Sequence, residues 1–230
     1  MKVPIIQIKD LTAASNKKDN FINIKNFEIH RGACYLVNGQ MGAGKTLLLD
    51  ILTGNVKKYN GEILYEANSI KSGMNFKAEY AYVKQNQSRP FFKTVKSYIY
   101  DEVKNKSNSN KSIDSRVNNI IKVMDLKPII DYKVREITPG QFRWVDLAAK
   151  IASFPKILFI DEIEMHLSSK DLKSLCKILY RKSSYEGVTI IISTQSKELL
   201  RSLSSINISI SEGRITRIQT STNFSKKKKK

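Results

Sequence analysis

The 230 residues include 40 Lys or Arg against 21 Asp or Glu, a formal net charge of +19, with 41% hydrophobic residues. That balance suits one compact α/β domain, and no apolar run approaches the roughly 20 residues needed to span a bilayer. The start, Met1 to Ile8, alternates like a strand instead of presenting an apolar signal core, so the default expectation is a soluble intracellular protein.

Ile5–Leu11 reads as a strand, Lys17–Asn20 as a polar turn, and Phe21–Ile29 as a second strand with Phe21, Ile24, Phe27 and Ile29 apolar. Ala33–Asn38 is an apolar run that reads as a buried strand, and these three strands suggest one mixed sheet. A glycine loop follows, and Leu47–Leu52 then opens a helix. Gly61–Tyr65 reads as another strand, and Glu79–Lys84 as a short one ending at Gln85. Residues 93–136 change character: Val95–Val103 and Ser115–Leu126 have helical periodicity, separated by the polar loop Lys104–Ser112. Gln141–Ile151 is a further helix, Lys156–Ile160 a strand, Asp171–Arg181 a helix, and Val188–Ser193 a strand of β-branched residues. Ile206–Ile210 and Arg214–Ile218 form a hairpin around Glu212-Gly213. No internal repeat is visible.

The loop Gly39-Gln40-Met41-Gly42-Ala43-Gly44-Lys45-Thr46 matches G-x-x-x-x-G-K-[ST] in full, between a strand and a helix. Its backbone N–H groups and the helix N-terminus form an anion cradle. Lys45 can reach β- and γ-phosphates, and the Thr46 hydroxyl can bind Mg²⁺. The second strong signal is Ile157–Ile160 followed by Asp161 and Glu162. Four apolar residues make a strand buried on both faces, and its C-terminal end delivers two carboxylates where open α/β sheets bind ligands. Asp161 would hold Mg²⁺, and Glu162 would act as general base towards water.

The order and spacing of these and further motifs resemble the nucleotide-binding subunit of ABC transporters over residues 5–218. Tyr82-Val83-Lys84-Gln85 is similar to the family's Gln-loop, and Ile137-Thr138-Pro139-Gly140-Gln141 to its signature loop. Ser193-Thr194-Gln195 stands where the family has its switch histidine. The resemblance implies an α/β P-loop ATPase with a mixed core sheet, an antiparallel β portion and an inserted helical subdomain. The domain would cover residues 1–224, the helical subdomain about 93–150, and a basic tail 225–230. It implies ATP and Mg²⁺ as ligands. Residues 39–46, with Thr138, Gly140 and Gln141, would bind nucleotide; Thr46, Gln85 and Asp161 would bind metal; and Glu162, Gln85 and Gln195 would carry catalysis. It implies a homodimer, or a heterodimer with a related subunit, sandwiching two ATPs. A membrane-spanning permease partner would place the chain peripherally on the inner face of the cell membrane. The nearest types are the small lipoprotein-release and cell-division ATPases.

Several positions depart from the family pattern. Pro139 removes a backbone donor from the signature loop, although proline suits the first turn of a helix. Gln195 can donate to a phosphate but cannot be protonated at neutral pH, which predicts slow hydrolysis. Ser168 stands for an aspartate, and Ile163 for a proline. Ser15 fills the place of the adenine-stacking aromatic; Phe21 could substitute, though a core phenylalanine is the commoner explanation. These losses keep open a second reading, a nucleotide-sensing subunit with little turnover. A DNA-acting head would need a long coiled coil between the phosphate loop Gly39–Thr46 and the Ile157–Glu162 segment, and Lys104–Ser112 is none.

The positive charge has three readings: nucleic acid, an anionic membrane surface, or drift towards Lys, Asn and Ile. Arg-rich recognition stretches and interleaved aromatics are absent, so no nucleic-acid partner is expected, and drift with membrane proximity is favoured. Lys226–Lys230 reads as a solvated tail. Cys34 and Cys176 read as buried small hydrophobes, and neither histidine makes a metal cluster. Trp144 is expected in packing. Phe91-Phe92 would be either core or a docking surface for a membrane partner.

Overall fold

The computed structural model describes residues 3–14, 21–70, 76–106, 112–195, 198–200 and 203–220. Ser15, the turn 17–20, most of the loop 104–112 and the basic tail lie outside them. Among the described residues, ten strands and five α-helices run in the order β1 (Ile6–Ala14), β2 (Phe21–Ile29), β3 (Cys34–Asn38), α1 (Lys45–Leu52), β4 (Asn60–Tyr65), β5 (Asn68–Ser69), β6 (Tyr80–Val83), α2 (Val95–Asn105), α3 (Ile113–Val123), α4 (Pro139–Ala152), β7 (Ile157–Ile160), α5 (Ser169–Glu186), β8 (Thr189–Thr194), β9 (Ile206–Ser211) and β10 (Arg214–Thr220).

The strands form two sheets, β2-β1-β4-β5 and β10-β9-β3-β8-β7-β6. The first is antiparallel throughout, with Ile8 opposite both Phe27 and Ile63. The second is mixed: β9, β3, β8, β7 and β6 run parallel, and β10 returns antiparallel along β9. The α/β class, mixed core and separate antiparallel portion are as the sequence predicts. One expectation is corrected: β3 does not share a sheet with β1 and β2. The reason lies in its side chains. β1 and β2 largely alternate buried and exposed residues and can leave one face wet, whereas Cys34, Tyr35, Leu36 and Val37 are all buried and need cover on both faces.

That cover divides the core in two. Cys34 and Leu36, Ala81 and Val83, Leu158 and Ile160, and Ile190 and Ile192 point into one cluster with α2, α3, α4 and α5. The alternate residues Tyr35 and Val37, Tyr80 and Tyr82, Ile157 and Phe159, and Ile191 point into a second, with α1 and the antiparallel sheet. α1 lies inside this second cluster and buries Leu47, Leu48, Leu49, Ile51 and Leu52, which is why it lacks a polar face.

The helical layer is tied together by polar contacts as well as apolar ones. Tyr98 Oη on α2 donates to Asp146 Oδ1 on α4 at 2.6 Å, and Lys150 Nζ donates to Glu102 Oε2 at 2.5 Å. Trp144 Nε1 donates to the Met124 carbonyl at 2.9 Å, as its expected packing role requires. Cys34 and Cys176 are buried free thiols, and burial pushes Cys176 up to about 11. Among the described residues, no helix is long and apolar enough to cross a membrane.

Phe159 is fully buried and meets Tyr80 edge-on at 5.7 Å, so Phe159→Ala should cost about 3–5 kcal/mol of folding free energy. Urea unfolding at neutral pH measures this.

Candidate nucleotide site

The parallel strands β6, β7, β8 and β3 end side by side, with Val83 opposite Ile160, Ile160 opposite Ile192, and Asn38 opposite Thr194. The residues that leave these ends are Lys84-Gln85, Asp161-Glu162, Gln195 and the loop 39–44. The topology therefore gathers into one place groups scattered over more than 150 residues.

The loop turns from β3 into α1 without a side-chain cap. Gly44 takes φ +97°, and a Cβ there would sit 2.9 Å from Ile22 Cδ1. No other residue type fits both the angle and the space. At Gly39 a Cβ would overlap the Ile210 carbonyl. The hairpin turn braces the loop from the side: Gly213 N donates to Ala43 O at 3.1 Å, and Asn23 N to Gly213 O at 2.9 Å. The first turn of α1 carries no acidic residue, which leaves its backbone donors suited to an anion.

Lys45 is buried, and its Nζ donates to the carbonyls of Gly39 at 2.7 Å and Gln40 at 2.9 Å. Burial pulls its pKa down, while Glu162, Asp161 and Glu164 oppose that. The Lys45 ammonium is thus the cation facing three carboxylates.

Asp161 is fully buried. Ser193 Oγ donates to its Oδ1, and its Oδ2 has no partner. Burial raises its pKa, and the Ser193 and Thr46 hydroxyls pull it back. An orphaned carboxylate oxygen beside a threonine hydroxyl is a fitting donor set for Mg²⁺, which takes one or two carboxylates and completes its shell with phosphate and water. Among the described residues, no group of three or more His, Cys, Asp or Glu forms a dedicated metal cage.

Glu162 takes φ +45°, a conformation strained for a side-chain-bearing residue. Its carboxylate is held on both oxygens: Gln85 Nε2 donates to Oε2 at 2.9 Å, and Gln195 Nε2 to Oε1 at 2.8 Å. Its backbone N–H donates to Ser193 Oγ at 2.8 Å, so one hydroxyl links both acids. Glu164 fastens the last of these strand ends, with Oε1 accepting from Thr194 Oγ1 at 2.9 Å and Gln195 N at 2.8 Å.

Of residues 138–141, Pro139 lines a cleft of about 160 Å³ with Gln85, Arg143 and His166, whereas Thr138, Gly140 and Gln141 do not line it. Thr138 caps α4, accepting from Gln141 N at 3.2 Å while its own N–H donates to Gln141 Oε1 at 2.9 Å, and Pro139 takes the first turn. Gly140 packs on the 166 segment, where a Cβ would lie 2.8 Å from the His166 carbonyl. Gly140 and Gln141 line a cleft of about 450 Å³ with Trp144 and His166, whereas Gln40, Met41, Gly42 and Ala43 line another of about 570 Å³ with Arg214. The structure thus brings Lys45, Thr46, Gln85, Asp161, Glu162 and Gln195 together, but not Thr138, Gly140 and Gln141 with them.

Phe21 is corrected: it is 44% exposed and lines the mouth of the larger cleft, so it is no core residue. Phe91 and Phe92 are 57% and 85% exposed, stacked edge-on at 5.0 Å, with the Arg135 guanidinium 4.5 Å over the Phe91 ring. Sequence reasoning missed Ser193, Glu164 and Arg143. Ser193 and Glu164 are ordinary at their positions. Arg143 carried a signal, since it shares the core-facing side of α4 with Asp146 and Lys150 at helical spacing.

Residues 22–164 match the family model described as ABC transporter. The chain belongs to the ABC transporter ATP-binding domain family. It is 30% identical over 217 residues to a protein of Clostridium perfringens described as an ABC transporter ATP-binding protein, covering 91% of this chain and 37% of that one. A Clostridium tetani protein of the same description is 24% identical over 201 residues, covering 86% and 45%. The chain therefore spans less than half the length of these curated relatives. An ATP-binding cassette solved as a dimer in a post-hydrolysis state with ADP and phosphate has the same fold, with a TM-score of 0.83 at 19% identity over 94% of this chain and 98% of that one. CbiO1 from Clostridium perfringens, part of an ABC transporter complex, superposes with a TM-score of 0.78 at 22% identity over 98% and 92%.

Ser193→Ala removes a donor to the buried Asp161 and an acceptor for the half-buried Glu162 N–H, and should cost about 1–3 kcal/mol. Asp161 has a folded-state pKa above its unfolded value, so its ionisation weakens the fold as pH rises, and losing Ser193 lifts that pKa further. The deficit of Ser193→Ala should therefore shrink on acidification from neutral pH, as read by denaturant unfolding at a series of pH values.

Proposed function

We propose that this ABC ATP-binding subunit binds Mg²⁺ and ATP, hydrolyses the nucleotide slowly, and does so as a dimer docked on a membrane-spanning permease at the inner face of the cell membrane. The observation that carries the hydrolytic reading is the Glu162 carboxylate held between the Gln85 and Gln195 amides, beside Asp161 and the buried Lys45. Residues 39–46 cradle the phosphates through backbone donors. Lys45 exchanges its loop carbonyls for phosphate oxygens, an attraction strengthened by its burial. Thr46 and Asp161 hold the metal, with Gln85 beside them; when bound, the ion neutralises charge building on the phosphates. Glu162 orients water and accepts its proton, with Gln85 and Gln195 fixing the carboxylate.

The separation of Thr138, Gly140 and Gln141 from the phosphate loop supports a site completed by the same residues of a second subunit. Residues 1–224 act as one unit in which about 93–150 form the helical part. The exposed Phe91-Phe92 pair supports docking of a partner, since aromatic pairs of this kind anchor interfaces. The exposure of Phe21 in the cleft lined by Gln40 to Ala43 supports stacking on adenine.

The slow rate follows from Gln195, whose amide cannot take up a proton. A second reading, ATP sensing with negligible turnover, draws support from Ser168, whose hydroxyl is committed to Asp171 Oδ2 at 2.6 Å as the cap of α5.

ATP turnover by the purified chain should rise with protein concentration as dimers form, and Glu162→Gln should lower it by about 10²-fold or more. ATP binding without turnover above that of Glu162→Gln selects the sensing reading. Gln195→His should raise turnover by about 10-fold or more, as expected for an electrostatic contribution at the transition state. Phe21→Ala should weaken ATP binding by about 1–3 kcal/mol while leaving inorganic triphosphate binding unchanged, measured by calorimetry.

A further inference from the structure

Arg143 is 5% exposed and sits one turn into α4. A guanidinium so placed needs a reason, because burying a charge is costly unless partners surround it. Its partners are three backbone carbonyls on two strand ends. Nη1 donates to Lys84 O at 2.5 Å; Nη2 donates to Asp161 O at 2.6 Å and Glu162 O at 3.1 Å. These carbonyls belong to the residue before Gln85 and to the two acids themselves. A planar guanidinium presents its donors in a rigid fork and cannot be deprotonated in a protein, so it spans both loops in a way a point charge cannot.

The other end of the link is equally firm. Three residues on, Asp146 accepts from Tyr98 of α2, and Lys150 reaches Glu102 of the same helix. α2 and α4 are therefore joined as one layer. Gln85 and Glu162 also touch directly, through the 2.9 Å amide–carboxylate bond. Arg143 closes a second connection between the two segments, from the helical layer to the carbonyl before Gln85 and to those of Asp161 and Glu162.

We propose that Arg143 is a positioning residue: its guanidinium sets the Gln-loop and the Asp161-Glu162 segment relative to one another and makes both follow movements of α4. It touches no reacting atom and acts through Gln85 and Glu162. The proposal rests on the hydrolytic reading above, and its test separates the two.

Trp144, the single tryptophan of the chain, adjoins Arg143 on α4 and provides the probe. Its emission reports α4 on addition of Mg·ATP, while calorimetry measures ATP binding independently. Arg143→Lys keeps the charge, and Arg143→Gln keeps a donor. Both should fold, as judged by thermal melting, and bind ATP within about 2-fold of the parent. Both should lose 10-fold or more in kcat with KM little changed, Arg143→Lys less than Arg143→Gln, and both should lose the ATP-induced change in Trp144 emission. An undiminished kcat in either folded variant overturns the proposal. So does a Trp144 response that persists at full size, or one missing from the parent when ATP is bound. If the parent binds ATP without turning it over, the hydrolytic reading fails, and the Trp144 response in the two variants still decides the role of Arg143. If both variants fail to fold, the parent's Trp144 response and that of Glu162→Gln decide: equal responses to ATP overturn the coupling of Glu162 to α4, and a diminished one in Glu162→Gln supports it.

Discussion

A sheet covered on both faces can place polar groups only at its ends. Here the strands β6, β7 and β8 are buried along their whole length and β3 up to Val37, one set of side chains facing the helical layer and the other facing α1 and the antiparallel sheet. Asp161 is the first residue past the apolar run of β7, and Gln85 follows two residues after β6. The site is concentrated because the core leaves it nowhere else to be.

Within that edge the charges are arranged so that none is stable alone. Lys45 faces Glu162, Asp161 and Glu164, yet its hydrogen bonds go to carbonyls of its own loop. Asp161 keeps one oxygen without a partner although wholly buried. A buried unpartnered polar atom is costly in a stable fold, and its ordinary justification is a ligand. Ser193 limits the cost by serving Asp161 and Glu162 at once, a role that a hydroxyl can fill because it both donates and accepts.

The parts of this arrangement that were legible in the sequence are those with their own periodicity or spacing. The glycine loop announces itself through Gly44 and Lys45, and the apolar run Ile157–Ile160 announces the acids after it. The unpredicted parts are contacts between segments distant in sequence. Nothing local marks Ser193 as the link between Asp161 and Glu162, because a serine ending a β-branched strand is unremarkable until β7 is seen beside it. Of the two readings of Phe21, the commoner core one fails because alternation along β2 does not reveal that its first residue lines a cleft. β3 was assigned to the wrong sheet because adjacency in sequence suggests pairing, whereas its actual neighbours, β8 and β9, come more than 150 residues later.

That last pairing bears on how the protein is made. The phosphate loop lies early in the chain, but its lateral support comes from Gly213, whose N–H reaches Ala43 and whose carbonyl takes the Asn23 N–H. During synthesis β8 becomes available to β3 before β9 does, and the loop lacks its lateral support until the hairpin of β9 and β10 has left the ribosome. A nascent chain halted between residues 46 and 213 would carry the whole phosphate motif without that brace. Nucleotide would then meet a braced loop only in molecules whose translation had passed that point.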